Sequence, residues 1–172
     1  MGKGFMFDVK KCCGCHACSV ACMDQNDTEI KPNGDDGGIF RHIYTNETGI
    51  YPDTKVDYIS FACMHCEDAP CVMGCPTGAL SRDPATSAVT IRKELCIGCH
   101  SCSIACHFGI PRFSTSGKMY KCELCGVRLQ FGLELPCVRA CVSGALSFGD
   151  INEGAKAKEA AAAQKVLTSG IS

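Results

Sequence analysis

Short apolar runs separated by turn-forming residues dominate this chain, and they predict several short strands. Phe5–Val9 and Ala88–Ile91 each have strand character and lead directly into a cysteine-rich segment. Ile39–Tyr44 and Val56–Phe61 flank a turn at Tyr51–Asp53, which predicts a hairpin. No stretch approaches the roughly 18 uninterrupted apolar residues of a transmembrane helix, so the pattern predicts no membrane span.

The end of the chain has a different composition. After Asp150 the sequence becomes rich in Ala and Lys, and Gly154–Leu167 is predicted to form a helix with Asp150 or Asn152 at its N-cap. This helix has little apolar stripe. A solvated tail helix is therefore favoured over a helix that docks on a partner subunit.

Cysteine is the residue that changes this picture most. The chain has 17 cysteines in 172 residues, a proportion at which a covalent or metal framework replaces part of the apolar core. Disulfides belong to oxidising compartments, and Cys12 comes before any apolar targeting stretch could fit, so a metal framework is favoured. The formal net charge of -1, with no basic run, argues against a nucleic-acid partner.

Sixteen of the 17 cysteines fall into four groups of four, numbered here in chain order. Groups I and III share the spacing C-x2-C-x2-C-x3-C, and groups II and IV share Gly-Ala-Leu-Ser shortly after their last cysteine. The order therefore indicates an internal duplication. In groups II and IV, a helix carrying the last cysteine is expected to stop at Gly78 or Gly144. The groups are Cys12, Cys15, Cys18 and Cys22 (I); Cys63, Cys66, Cys71 and Cys75 (II); Cys96, Cys99, Cys102 and Cys106 (III); and Cys122, Cys125, Cys137 and Cys141 (IV).

This spacing is typical of iron–sulfur sites. Three thiolates spaced three residues apart can hold one face of a cubane cluster, and the fourth cysteine is carried by the following helix to a different cluster. Four groups of four therefore predict four [4Fe-4S] clusters. A zinc scaffold is the alternative, and it is strongest for group IV, whose two pairs of cysteines are separated by a loop. Cys13 is left over and is expected to be a small buried residue near a cluster rather than a spare ligand.

Several other residues could tune such clusters. Because the cysteines already complete the ligation, histidines beside them are expected to donate hydrogen bonds or add charge rather than bind iron. Positive charges flanking group IV would raise a reduction potential, although a solvated or partner-facing role is equally compatible. No nucleotide fingerprint or substrate site is present, which indicates a non-catalytic electron carrier. The residues concerned are His16, His65, His100 and His107, and the cations Lys118, Lys121 and Arg139.

Five stretches carry a resemblance to a known family: Phe40–Tyr44, Cys63–Cys71, Cys75–Ala79, Cys96–Cys99 and Gly117–Cys122. The chain resembles the four-cluster ferredoxin-like subunits of the molybdopterin oxidoreductases, of the type of the dimethyl sulfoxide reductase B subunit. The resemblance implies a subunit that connects a catalytic subunit, holding molybdenum or tungsten bis-pterin, to a quinol-reactive membrane subunit. It departs from many relatives in one respect. Only one group's fourth cysteine is followed by Pro, and Met23, His107 and Val142 stand at the other three sites.

The resemblance also implies how the groups combine. In two-cluster ferredoxins each fourth cysteine ligates the other cluster, which pairs group I with group IV and group II with group III. The implied ligands are Cys12, Cys15, Cys18 and Cys141 for cluster 1; Cys22, Cys122, Cys125 and Cys137 for cluster 2; Cys63, Cys66, Cys71 and Cys106 for cluster 3; and Cys75, Cys96, Cys99 and Cys102 for cluster 4.

The expected fold is α+β, with two interlocked ferredoxin-like halves related by a pseudo-twofold duplication, a β-hairpin insert and a C-terminal helix. Residues 1–150 form the four-cluster domain and 151–172 the tail. Within the domain, about 1–25 with 118–150 form half A, about 60–117 form half B, and 26–59 are the insert.

Partners and location follow from the resemblance. With no signal or span of its own, the chain is expected to associate with the membrane through partners. It would be extracytoplasmic if it is exported together with a signal-bearing catalytic subunit, and cytoplasmic otherwise. Half B is expected toward the quinol side and half A toward the molybdenum subunit. The alternative function is a soluble polyferredoxin, or an electron-transfer subunit of a hydrogenase or formate dehydrogenase complex.

Overall fold

A computed structural model describes residues 3–28 and 38–169 of the protein, and these form four two-stranded antiparallel sheets and six α-helices. None of the described helices is both long and apolar enough to cross a membrane. The strands are β1 (Lys3–Phe7), β2 (His42–Thr48), β3 (Lys55–Phe61), β4 (Leu80–Arg82), β5 (Val89–Ile91), β6 (Arg112–Phe113), β7 (Met119–Tyr120) and β8 (Leu146–Asp150). The helices are α1 (Ala17–Gln25), α2 (Pro70–Met73), α3 (Ser101–Ala105), α4 (Gly126–Gln130), α5 (Pro136–Arg139) and α6 (Ile151–Ser169), with 3-10 turns at Val9–Lys11 and Lys93–Leu95.

Two of the sheets join the cysteine groups. β1, which precedes group I, pairs with β8, which follows group IV, so that Phe5 lies opposite Phe148 with their rings in edge contact at 5.4 Å. β4, which follows group II, pairs with β5, which precedes group III. Strands adjacent to groups I and IV therefore meet in one sheet, and strands adjacent to groups II and III meet in the other.

The hairpin predicted from the apolar pattern is present as β2 and β3, which pair from His42 opposite Phe61 to Thr48 opposite Lys55. β2 begins later than the predicted run Ile39–Tyr44 and continues through polar residues. Its extent is set by cross-strand hydrogen bonds rather than by apolar character. Residues 29–37 of the predicted insert lie outside the described residues.

The helices that carry cysteines in groups II and IV are shorter than predicted. α2 and α5 each begin with Pro, whose fixed φ suits the first helical position, and each lasts a single turn. The expectation that they continue to Gly78 or Gly144 is wrong, because both helices end before the fourth cysteine. The two glycines instead adopt φ of +62° and +63° and turn the chain into β4 and β8.

The predicted C-terminal helix is present as α6. Asp150 is the capping residue, because its Oδ1 accepts hydrogen bonds from the amides of Asn152 at 2.8 Å and Glu153 at 3.3 Å. α6 starts before the predicted Gly154, and it is exposed along its described length except at Gly154, where the helix packs against Met6.

The interior is divided between apolar residues and cysteines. One buried cluster combines Leu80, Val89 and Met119 with cysteines of groups II and III. A second combines Leu124 and Leu135 with cysteines of groups I and IV, and it also contains Ala88 from the edge of β5, which brings the two parts of the chain together. Burying each leucine contributes about 1.5–3 kcal/mol, and the cysteines occupy positions that large side chains would otherwise fill.

Candidate metal centres

The three-cysteine loops of groups I and III share an uncommon backbone conformation. Gly14 and Gly98 occupy equivalent positions with φ of +68° and +69°, a region that favours glycine. A Cβ on Gly14 would lie 2.6 Å from the ring of Tyr58, and one on Gly98 would lie 2.5 Å from the carbonyl oxygen of Gly117. Each loop therefore requires glycine both for its backbone turn and for its close packing.

One cavity brings together the four cysteines implied for cluster 2. Cys22 from α1 lines it with Cys122, Cys125 and Cys137, and its empty volume is about 340 Å³. Burial raises the pKa of Cys22 to about 12, and the three neighbouring thiols add to the effect. Three of the four thiols are buried and that of Cys125 is half-buried. A bound cation favours the ionised form of such crowded thiols, which is how metal binding displaces protons from cysteine.

A second cavity brings together the four cysteines implied for cluster 4. Its empty volume is about 310 Å³, and its other walls are apolar and include Ile91, Phe113 and Met119. Burial raises the pKa of the Cys102 thiol to about 11. The thiol of Cys99 is exposed, and a hydrogen bond with Ser101 lowers its pKa. The four cysteines that line this cavity are Cys75, Cys96, Cys99 and Cys102.

The other two sets are grouped less closely. Cys63 and Cys71 interact electrostatically with Cys106, which lies just beyond α3. Cys18 is buried in the apolar cluster against which Cys141 packs. The remaining members of these sets are less buried: Cys15 is exposed and Cys12 is half-buried, while the half-buried Cys66 packs against the buried cluster that contains Cys71.

The described residues include all 17 cysteines, and none of these forms a disulfide. Nor do any three His, Cys, Asp or Glu side chains in the described part of the chain converge closely enough to hold one metal ion. A zinc site needs four donors at about 2.0–2.3 Å from a single ion. In a cubane cluster each thiolate binds a different iron, so its four protein ligands stand farther apart than the ligands of a single ion.

Cys13 does not have the predicted environment. The sequence predicts a buried side chain, but the side chain is exposed. The neighbouring Cys12 is half-buried, and the chain turns at the following Gly14, whose φ is +68°.

The three cations near group IV take different positions. Lys121 is 3% exposed, and its Nζ donates to the carbonyl oxygens of Val89 and of Cys122, so it is neither solvated nor partner-facing. Lys118 donates to the carbonyl oxygen of Cys96 in group III at 2.5 Å. Arg139 is exposed to solvent.

Of the four histidines beside the cysteine groups, His65 is the most constrained. Burial, followed by the charges of Lys121, Arg41 and Arg82, lowers the pKa of His65 to about 3, so the ring is neutral near pH 7. His100 stacks on Phe113 with centroids 3.7 Å apart and lines the second cavity. The other two histidines, His16 and His107, are exposed.

Two polar residues at the first cavity were not identified from sequence. Arg41 is 3% exposed and lines the cavity, and Asn26 donates from Nδ2 to the carbonyl oxygen of Cys22 at 2.7 Å and to its sulfur at 3.6 Å. Arg41 is a charged residue within the apolar run Ile39–Ile43, and that pattern could have indicated a buried cation. The short spacing from Cys22 to Asn26 carried no comparable signal.

The residues of both cavities fit an iron–sulfur cluster. Each cavity offers four thiols and largely apolar walls, and the Nη2 atom of Arg41 is buried without an acceptor among the described residues. Thiolates are the ligands of [4Fe-4S] clusters, and nearby hydrogen-bond donors tune them.

Comparison with known proteins agrees with this chemistry. The family described as the 4Fe-4S dicluster domain matches residues 54–151. HybA, the hydrogenase-2 operon protein of Escherichia coli O157:H7, is 36% identical over 87% of this chain, which spans 52% of HybA. The B subunit of the anaerobic dimethyl sulfoxide reductase of Haemophilus influenzae is 37% identical over 87% of this chain and 75% of its own length.

A third relative is the arsenate respiratory reductase iron–sulfur subunit ArrB of Shewanella sp. strain ANA-3. It is 31% identical over 89% of this chain and 83% of its own length. The chain thus spans about half of HybA but most of the other two relatives. It belongs to the 4Fe-4S dicluster domain family, among the iron–sulfur subunits typified by the B subunit of dimethyl sulfoxide reductase.

Proposed function

We propose that this chain is an electron-transfer subunit that holds four [4Fe-4S] clusters and connects a molybdopterin catalytic subunit to a quinol-reactive membrane subunit. The clusters would supply one-electron transfer, and the protein would supply thiolate ligands, apolar insulation and fixed charges. The family match and the relatives named as reductase subunits support this assignment.

The proposed ligand sets are those implied by the ferredoxin rule. The two cavities support the sets that contain Cys22 and Cys99, because each cavity is lined by all four members of one set. The interactions of Cys63 and Cys71 with Cys106 support the third set. The packing of Cys141 against the cluster that contains Cys18 supports the first.

The observation that carries the proposal is that neighbouring sets share structural elements in a linear order. α1 carries both Cys18 of the first set and Cys22 of the second. Cys122 of the second set packs with Cys63 of the third in one small buried cluster. α2 carries Cys71 of the third set and is followed closely by Cys75 of the fourth set. The four sets therefore form a chain of adjacent sites, as an electron wire requires.

The proposal includes the two-half organisation, with half A formed by about 1–25 and 118–150 and half B by about 60–117. The sheet β1–β8 lies in half A and the sheet β4–β5 in half B, which supports a duplicated architecture. It also includes the membrane-associated, extracytoplasmic location reached together with a catalytic subunit. That part rests on the resemblance to the family.

Two measurements test the proposal. Four clusters predict about sixteen iron and about sixteen acid-labile sulfide per chain, and anaerobic purification should recover a molybdenum- or tungsten-containing subunit with it. Stoichiometric zinc with little iron would overturn the cluster assignment. A full complement of iron without any bis-pterin partner would overturn the assignment of the complex alone.

A hydrogenase complex is the second candidate, and the 36% identity with the hydrogenase-2 operon protein supports it. The same purification distinguishes the two. A partner that reduces dyes with hydrogen and contains no molybdenum or tungsten favours the hydrogenase complex.

A further inference from the structure

Arg41 is a buried cation directly before β2. Its side chain is 3% exposed, and its guanidinium lies 4.5 Å from the centroid of the Phe5 ring. In the parts of the chain that the structure describes, no carboxylate forms an ion pair with it. A buried charge without a partner is strongly unfavourable, so an anionic group is expected beside Arg41 in the assembled protein.

The hydrogen bonds of Arg41 show where that group would lie. Nη1 donates to Ser60 Oγ at 3.0 Å, and Nη2 is buried with no acceptor. Arg41 lines the cavity of Cys22, Cys122, Cys125 and Cys137. Its guanidinium lies close to the thiol of Cys137, but the Nη2 atom forms no hydrogen bond with any residue that the structure describes. The free donor is therefore available to an anion that fills the cavity.

Ser60 extends the influence of Arg41 to a neighbouring site. Its Oγ lies 3.0 Å from Nη1 of Arg41 and 3.5 Å from the sulfur of Cys18. A guanidinium only donates hydrogen bonds, so Ser60 Oγ accepts from Arg41 and its own hydroxyl proton is free for the Cys18 sulfur. A continuous path of hydrogen-bond donation thus runs from Arg41 through Ser60 to Cys18.

We propose that Arg41 sets the reduction potentials of two adjacent clusters, donating directly to the one held with Cys22 and through Ser60 to the one held with Cys18. This inference rests on the proposed function. Each one-electron reduction adds a negative charge to a site, and a fixed cation in a low-dielectric interior favours that added charge. Arg41 therefore raises both potentials, and the directly contacted cluster is affected more.

Among the residues that the structure describes, Lys121 is the other buried cation, and its hydrogen bonds differ from those of Arg41. Its Nζ already donates to two carbonyl oxygens, so its charge is compensated by backbone dipoles. Arg41 has a donor left without any acceptor. That difference, together with its place in the cavity lining, identifies Arg41 rather than Lys121 as the residue whose charge is directed at a group in the cavity.

The test uses the full chain with its clusters, purified anaerobically in its complex and titrated with dithionite while electron paramagnetic resonance is recorded. The variants are Arg41→Gln, Arg41→Lys and Ser60→Ala. The matched control is Arg128→Gln, because the charge of Arg128 also acts on Cys125, but its side chain donates solvent-exposed hydrogen bonds to the side-chain oxygen of Gln25 and the backbone carbonyl oxygen of Glu134. Signals are assigned with Cys22→Ser and Cys12→Ser proteins.

For Arg41→Gln we expect the equilibrium constant for reduction of the Cys22 cluster to fall about tenfold, which lowers its potential by about 59 mV for one electron. The potential of the Cys18 cluster should fall less. Arg41→Lys should leave both potentials close to those of the unmodified protein, because lysine keeps the positive charge. Ser60→Ala should lower the potential of the Cys18 cluster only, and Arg128→Gln should leave the potentials of both clusters nearly unchanged.

Unchanged potentials in Arg41→Gln with full iron would overturn the inference, as would equal shifts in Arg41→Gln and Arg41→Lys, which would indicate packing rather than charge. If Arg41→Gln fails to assemble, Ser60→Ala and Arg41→Lys provide the test. A Ser60→Ala protein in which the potential of the Cys18 cluster is not selectively lowered would overturn the relay. Failure of the proposed function has a different signature, because the unmodified protein would then contain far less than about sixteen iron.

Discussion

The Nδ1 atom of His65 accepts a hydrogen bond from the backbone amide of Val89 at 2.9 Å, which joins the cysteine loop of group II to the strand before group III. Because Nδ1 is the acceptor, the proton of the neutral ring lies on Nε2. Nε2 is buried without a partner in the structure. His65 therefore ties the two groups together and offers one free donor beside Cys66.

This contact predicts that His65→Phe destabilises the protein, because the buried amide of Val89 loses its acceptor. The expected loss in free energy of unfolding is about 1–3 kcal/mol, measured by denaturant titration of the cluster-containing protein under anaerobic conditions. His107→Phe is the control, because His107 is exposed and should change stability by less than about 0.5 kcal/mol. Equal effects of the two substitutions would contradict the structural role of His65.

The crossed ligand sets predict which cluster each fourth cysteine supports. Cys22→Ser should damage the cluster of Cys122, Cys125 and Cys137, because Cys22 lines their cavity, and should spare the cluster of the other group I cysteines. Iron content and electron paramagnetic resonance measure the loss.

The reciprocal variant completes this test. Cys141→Ser should damage the cluster held by Cys12, Cys15 and Cys18. It should spare the cluster held by Cys122, Cys125 and Cys137. If each substitution instead damages the cluster of its own group, the groups are self-contained and the crossed arrangement is wrong.

The backbone of the group III loop predicts a specific role for Gly98. In Gly98→Ala the new Cβ would meet the carbonyl oxygen of Gly117 at 2.5 Å, at a φ of +69°. We expect a loss of about 1–3 kcal/mol from strain and clash, together with reduced iron at the Cys99 site. Thermal unfolding and iron analysis provide the measurement.

Gly109→Ala is the matched control for this substitution. Gly109 has a φ of +59°, but its Cβ would meet nothing within 4 Å. It should show the cost of the backbone conformation alone and keep the full iron content. If both variants lose stability and iron equally, close packing against Gly117 is not the reason for glycine at position 98.

The position of Cys99 predicts a three-iron variant. Its thiol is exposed at the mouth of the second cavity, and Cys99→Ser removes one ligand while Cys75, Cys96 and Cys102 remain. Loss of the unliganded iron should give a [3Fe-4S] species with a paramagnetic signal in the oxidised protein.

The same variant should slow electron transfer to or from a quinol partner. A rise of about 59 mV in the potential of this cluster favours its reduced form about tenfold, so that the electron is retained there. Dyes that react directly with the catalytic subunit should still support turnover. A silent oxidised spectrum, or equal loss of both activities, would show that Cys99 does not have this role.

Much of this protein could be inferred from local sequence. The spacing in groups I and III predicted thiolate ligands of iron–sulfur clusters, since three ligands spaced three residues apart on one loop need no long-range information. The apolar runs predicted the strands before groups I and III, and Asp150 predicted the cap of α6, because these elements depend on neighbours in sequence. The helix ends near Gly78 and Gly144 were predicted wrongly, because sequence pattern alone did not show that one helical turn is enough before the chain turns into the next strand.

Only the tertiary structure placed the charges. Lys118, Lys121 and Arg139 are equivalent neighbours of group IV in sequence, yet Lys121 is buried, Lys118 reaches group III and Arg139 is exposed. Arg41 is far from group IV in sequence but lines its cavity, because it directly precedes β2 and bonds to Ser60 on the paired strand β3, which lies beside groups I and IV. Ligand chemistry is a property of residue type and spacing, whereas an electrostatic effect depends on distance and burial, and those exist only once the chain has folded.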